Sequence, residues 1–223
     1  MTDEEKNILE LERRFVGLLQ KRPRSPSEAE EMERYEEALI EALKRQAKDL
    51  FDEVLEAGIR IKSVWDFVNT ADKYPEAIPV LVKHLNRSYH HRTKEGIVRA
   101  LAVREAKGIA NKAVMEEYHR LPKEDPEIDP DEQWIYHYRW AFGNTMTVIV
   151  TKDDLEALID IVTDESNGQS RSGFIEALAK LKSPKVIEVL HQLEKDKNQV
   201  VAELAKKILA RNARANERKT KSR

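Results

Sequence analysis

Apolar residues recur at three- and four-residue steps along most of the chain, and the breaks between these runs divide it into helices. Ile8, Leu11, Phe15 and Leu18 predict an amphipathic helix over residues 3 to 20. Lys21-Arg22-Pro23-Arg24-Ser25-Pro26-Ser27 ends it, because two prolines and two serines cannot continue the pattern. Ser27 is then the expected N-cap of a second helix of about 30 residues, with Glu28, Glu30 and Glu31 in its positive first turn. Met32, Tyr35, Leu39, Leu43, Ala47, Leu50 and Val54 carry that helix to a stop at Gly58. Ser63-Val64-Trp65-Asp66 reads as a capping box opening a short helix through Phe67 and Val68.

From there the pattern becomes repetitive. Glu95 to Val103, Trp140 to Val148 and Ser172 to Lys180 align without a gap as variable, tiny, large apolar, any, polar, small, large apolar. The tiny residue of each block (Gly96, Ala141, Gly173) predicts close helix-to-helix approach. Each block follows a second helical run. Tyr74 to Leu85 precedes the first, with Pro75 in its first turn and Pro79 deep enough to bend it; Asn86 to Arg92 then forms a loop and Thr93 the cap. Ala110 to Leu121 precedes the second block, and Asp153 to Val162 the third. A last pair spans Pro184 to Leu193 and Gln199 to Leu209. Gly96 lies 45 residues before Ala141 and Ala141 lies 32 before Gly173, so the second repeat is longer. Residues 122 to 132, with three prolines and six acids, account for the excess as an inserted loop.

A helical pair every 30-odd residues, with a proline early in the outer helix and small residues in the inner one, resembles the HEAT-repeat family. The short units look most like its phycobilisome-lyase-type branch. Trp65 to Ala106, Trp140 to Asn144 and the glycine-containing turn before Arg171 are similar to a group of bacterial HEAT-repeat proteins. The resemblance covers about residues 60 to 210. It implies an all-α fold: a right-handed α-solenoid (α-α superhelix) of about four HEAT-like pairs. Residues 1–58 form an N-terminal helical hairpin, 59–210 the solenoid, and 211–223 a disordered basic tail. It also implies a scaffold that binds its partner along a concave face lined by inner helices.

Composition fits a thin helical array. Hydrophobic residues make up 40% and charged residues 36%, a balance suited to helices that each keep a wet face. Seven glycines and eight prolines are too few for the turns of a β-sandwich. The net charge of −2 gives no general attraction for nucleic acid or an anionic membrane. The absence of cysteine excludes disulfides, thiolate zinc sites and a cysteine nucleophile. No apolar run reaches the ~20 residues of a membrane span, and the acidic N-terminus lacks a signal-peptide core. These features predict a soluble, cytoplasmic protein.

Stacked in register, the blocks would form three polar rows: Arg92, His137 and Gln169; Glu95, Trp140 and Ser172; Arg99, Asn144 and Glu176. Tyr136, Arg139 and Arg171 lie beside them. Exposed aromatics next to arginine are the composition of binding hot spots, so these residues are the candidate partner-binding set. Trp140 is either the apolar anchor of that surface or a filler of the gap opened by the long second repeat. Trp65 reads as a core residue at the start of the array. The seven glutamates between Glu28 and Glu41 form a solvated face or a dock for a basic partner.

No catalytic, cofactor or metal motif is present. His84, His90 and His91 belong to no HExxH element, and adjacent His90 and His91 are expected to point apart. Asp125, Glu127, Asp129 and Asp131 alternate like calcium-loop acids but lack its glycine and closing glutamate. Gly108, Gly143 and Gly168 stand alone, so there is no phosphate loop, and no Gly-x-Ser-x-Gly occurs. The alternative reading is nucleic-acid binding. Some alkylpurine DNA glycosylases have a HEAT-like fold with Trp, Asp and Arg in a basic groove, which Trp140 with Arg139, Arg99 or Arg171 imitates. Glu95, Glu176 and the slightly acidic total oppose it, since a phosphate-binding groove needs clear positive charge.

Overall fold

The structure is a computed structural model that describes residues 2–123 and 134–221, apart from the side chains of Trp134, Tyr136 and residues 216–221. The described residues form α-helices and short 3-10 turns with no strand. The predicted acidic loop lies largely outside them. No helix among the described residues is long and apolar enough to cross a membrane. The chain divides into two compact units, Met1–Ala100 and Leu101–Arg223.

In the first unit, α1 (Asp3–Gln20) is closed at its start by a reciprocal Thr2/Glu5 capping box. It packs along α2 (Pro26–Gln46). Ile8, Phe15, Leu39 and Ala42 form their shared core, flanked by Leu11, Val16, Met32, Tyr35 and Leu43. Burying a side chain the size of Ile8 or Phe15 contributes about 1.5–3 kcal/mol. The N-cap of α2 is Ser25, not Ser27. Pro26 takes the first helical position, where its missing N–H costs nothing, and Glu28 closes the box back onto Ser25. The expected 30-residue helix is interrupted at Ala47 (φ −103°, ψ 29°), and α3 (Lys48–Glu56) follows. No glycine or proline marks that break. Gly58 ends α3 as predicted: at φ 85° it lets its own N–H reach Leu55 O and the Ile59 N–H reach Val54 O.

Ser63 and Asp66 do form a capping box, but around a 3-10 turn, Val64–Asp66. A second 3-10 turn, Pro75–Ala77, precedes α4 (Ile78–Leu85). Pro79 therefore sits in the first turn of α4 and bends nothing. Helix α5 (His91–Ala100) begins two residues before the expected cap, leaving Thr93 buried inside it. Gly96 makes a close approach, but to the side chains of the Val64–Asp66 turn rather than to another inner helix: a Cβ there would lie 3.2 Å from Val64 Cβ and 3.3 Å from Trp65 Nε1. The boundary expected after residue 58 falls within this unit, because α3 packs on α4, where Glu53 receives Lys83 at 2.7 Å.

Gly17, on the exposed face of α1, has nothing within 4 Å of a built Cβ. Replacing it with alanine removes backbone freedom from the unfolded chain and adds no clash. Gly17→Ala is expected to raise the unfolding free energy by about 0.5–1 kcal/mol in urea denaturation. A loss would mean that α1 does not have this surroundings in solution.

The second unit comprises α6 (Asn111–Arg120), α7 (Trp134–Ile149), α8 (Leu155–Thr163), α9 (Arg171–Ala179), α10 (Pro184–Leu193) and α11 (Gln199–Lys221). Successive helices pack as pairs: α6 on α7, α8 on α9, α10 on α11. In addition α9 packs between α7 and α11, and α8 packs on α10. Helices α7, α9 and α11 thus make one layer, with α8 and α10 in the other. The α7–α9 contact is backbone on backbone. A Cβ on Gly143 would fall 2.7 Å from Gly173 Cα, and one on Gly173 would fall 2.9 Å from Gly143 Cα. Gly173 is the close-approach residue expected, but its partner is Gly143 rather than Ala141. Further along, Lys180 Nζ donates to Thr147 O, so the two helices run in the same direction. Around this crossing the rings of Tyr118, Phe142 and Phe174 pack, with Tyr118 and Phe174 centroids 4.5 Å apart. Helix α11 continues to Lys221, where the sequence pattern predicts fraying.

Candidate functional site

The predicted surface residues fall into two sets. Arg92, Glu95 and Arg99 belong to the first unit, the others to the second. Arg99 is bound to Glu95 one turn earlier, with Nε 2.8 Å from Oε1, and its guanidinium lies over the Trp65 ring. Both are spent on each other. Arg92 stacks over Phe15 and donates to Glu12.

In the second unit, helical spacing separates an outer stripe from an inner one. His137 and Trp140 are exposed and Asn144 partly so. Trp140 keeps 44% of its surface in solvent, which removes the gap-filling alternative, since a filler would be enclosed. On α9, Glu176 is partly exposed and lies 3.5 Å from Arg211 of α11. Gln169 is exposed in the turn before α9. The side chain of Tyr136 lies outside the described residues.

Arg139, Arg171 and Ser172, expected at the surface, are buried instead. Arg139 lies three residues before Phe142 and seven before Met146, which puts it on the apolar stripe of α7. Its guanidinium donates to Tyr118 Oη at 2.7 Å, Asn167 Oδ1 at 3.0 Å, Ser170 Oγ at 3.1 Å and Pro122 O at 2.7 Å. It also lies 4.4 Å from the centre of the Tyr118 ring. Arg171, on the buried stripe of α9, donates to Gly168 O, Val162 O and Asp196 Oδ1. These arginines satisfy buried carbonyls and hydroxyls, which would otherwise be costly to enclose. They are unavailable to a partner.

A second constellation, in the first unit, was not anticipated. His90, just before α5, and His91, its first residue, both turn toward Glu12 of α1. The two adjacent histidines, expected to point apart as solvent-exposed loop residues, instead both converge on one carboxylate and are largely buried. His90 Nε2 is 3.3 Å from Glu12 Oε2 and His91 Nε2 is 3.1 Å from Oε1. The three side chains keep only 14%, 9% and 10% of their surface for Glu12, His90 and His91. The His90 N–H is fixed by Gln46 Oε1 at 2.8 Å, which holds the turn in place. Burial opposes the charge on Glu12, but the adjoining His90 and His91 imidazoles outweigh it and hold the carboxyl well below the usual range. Burial pushes the His91 imidazole down, against the pull of Glu12, which favours its neutral form. A glutamate some eighty residues away from two histidines leaves no mark in a sequence pattern.

No protein-family model, curated protein or solved structure matches this chain. The likeness to HEAT repeats therefore rests on the residue pattern and helix pairing alone.

Proposed function

We propose that the chain is a HEAT-like α-solenoid of about four pairs behind an N-terminal hairpin, acting as a non-catalytic scaffold in the cytoplasm. Its partner is another protein, held on the α7–α9–α11 layer. The observation that carries this reading is Trp140, a large aromatic side chain left 44% exposed on a helix whose other apolar residues are mostly enclosed. Aromatic anchors of this kind supply much of the energy of protein interfaces. Asn144 lies one turn further on the same face of α7 and Val148 two turns further, also exposed. Lys180 and Arg211 on the neighbouring helices are exposed cations. That arrangement suits a partner segment carrying an apolar side chain beside carboxylates. The pairing of α6 with α7, α8 with α9 and α10 with α11 supports the repeat reading.

The nucleic-acid alternative loses its main residues. Arg139 and Arg171 are buried in internal hydrogen bonds and Arg99 is paired with Glu95, so none offers a free cation to a phosphate backbone.

The test is Trp140→Ala. Proteins retained by the immobilised full chain from its source cell should be lost with the variant, while the melting temperature moves by no more than about 2 °C, as for other exposed truncations. An unchanged set of bound proteins, or a large fall in melting temperature, overturns this role for Trp140.

A further inference from the structure

The Glu12, His90 and His91 cluster has a donor set that its hydrogen bonds leave incomplete. His90 Nε2 is buried and makes no hydrogen bond among the described residues, although Glu12 Oε2 lies 3.3 Å away. One donor atom from each of the three residues falls within 4.8 Å of the others. An ion held at about 2.0–2.2 Å in tetrahedral geometry keeps its ligands about 3.3–3.5 Å apart. His90 Nε2 lies 3.3 Å from Glu12 Oε2 and His91 Nε2 3.1 Å from Oε1, so each imidazole faces its own carboxylate oxygen and small side-chain adjustments would bring the three donors onto one ion.

The geometry points to a binding site for a divalent late first-row metal ion, Zn2+ above all, ligated by His90 Nε2, His91 Nε2 and the Glu12 carboxylate. Two imidazoles and one carboxylate suit Zn2+, whereas Mg2+ and Ca2+ prefer sites made of oxygen. Three protein ligands leave a fourth position for water or another donor. Ligation through His90 Nε2 keeps the ring proton on Nδ1, which ends the 3.4 Å contact from the Arg92 N–H. At that length little is lost. Arg92 is the local competitor: its Nε donates to Glu12 Oε1, so it already neutralises the carboxylate that the ion would take. Glu12 belongs to α1 and the histidines to the start of α5, so the ion would tie these two helices together within the first unit. Binding to the folded chain alone would stabilise it by mass action.

The experiment is a calorimetric titration of the full chain with Zn2+ after chelator treatment, paired with long-range 1H–15N spectra of its six imidazoles. One Zn2+ should bind per chain, the first equivalent should shift only the His90 and His91 resonances, and the melting temperature should rise. His91→Ala should weaken binding more than 100-fold, beyond the 10–100-fold typical of changes to outer partners. Arg92→Gln should tighten it by about two- to fivefold, as expected when one competing ion pair is removed. If His91→Ala does not fold, the imidazole shifts of the unaltered chain and the Arg92→Gln affinity decide. No binding up to about 1 mM Zn2+, a first equivalent that shifts His119, His137 or His191, or unchanged affinity in His91→Ala overturns the site.

Discussion

Arg171→Ala is expected to lower the unfolding free energy by about 3–5 kcal/mol, the cost of removing one partner from a buried ion pair. The Arg171 and Asp196 side chains retain 2% and 6% of their surface, and Nη2 lies 2.7 Å from Oδ1. Removing the guanidinium leaves a carboxylate in the interior that keeps the Asn198 N–H, at 2.8 Å, but loses its cation. It also strips donors from Gly168 O and Val162 O. On a total stability of about 5–15 kcal/mol this is a large fraction, equivalent to about 6–20 °C in melting temperature. Arg171→Met keeps most of the volume, so a similar loss there would assign the effect to charge and hydrogen bonding rather than to a cavity. Replacing both partners with apolar residues should recover part of the loss, because no charge is then left behind. Urea denaturation of the two single variants and the double variant measures the coupling. A loss below about 1 kcal/mol for Arg171→Ala would mean that solvent reaches this pair.

The second large effect is expected at the crossing of α7 and α9. Alanine normally stabilises a helix by about 1 kcal/mol over glycine. At Gly143 and Gly173 the sign reverses, because the added methyl would meet the opposing backbone at 2.7–2.9 Å. Backbone cannot rotate away as a side-chain tip can, so the helices must separate. Separation in turn loosens the Tyr118, Phe142 and Phe174 packing. Gly173→Ala and Gly143→Ala should each lose about 1–3 kcal/mol, as overpacked cores do. The double variant should lose less than the sum, since helices already parted by one methyl accommodate the second. A neutral or stabilised Gly173→Ala, in the same assay that finds Gly17→Ala stabilising, would show that the two helices stand further apart.

The helices and their pairing in the second unit were readable because apolar spacing and proline or glycine punctuation are local signals. Gly58 is one case, where the αL stop can be read directly from residue type. The break at Ala47 was invisible, because alanine is the best helix former and no glycine or proline stands near it. The glycine crossing was half legible. Small residues announced close approach, yet which pair touches depends on the register of two helices, and aligning the blocks gave Ala141 in place of Gly143. Arg139 and Arg171 were misread for a simpler reason. Each was judged by its charge, although each lies on its helix's apolar stripe, three residues before a phenylalanine. Spacing should have outweighed residue type there. The Glu12, His90 and His91 grouping had no such signal.

Helix α11 is 23 residues long, about 34 Å, whereas its neighbours α9 and α10 have 9 and 10 residues and span about 15 Å. Beyond Arg211, which still reaches Glu176 of α9, its far end therefore overhangs them like a jetty, and Arg214 stands there exposed. Positive charge held out in this way can be altered by substitution or modification without disturbing the packed interior. Evolution and protein engineering alike are free to adjust that end on its own.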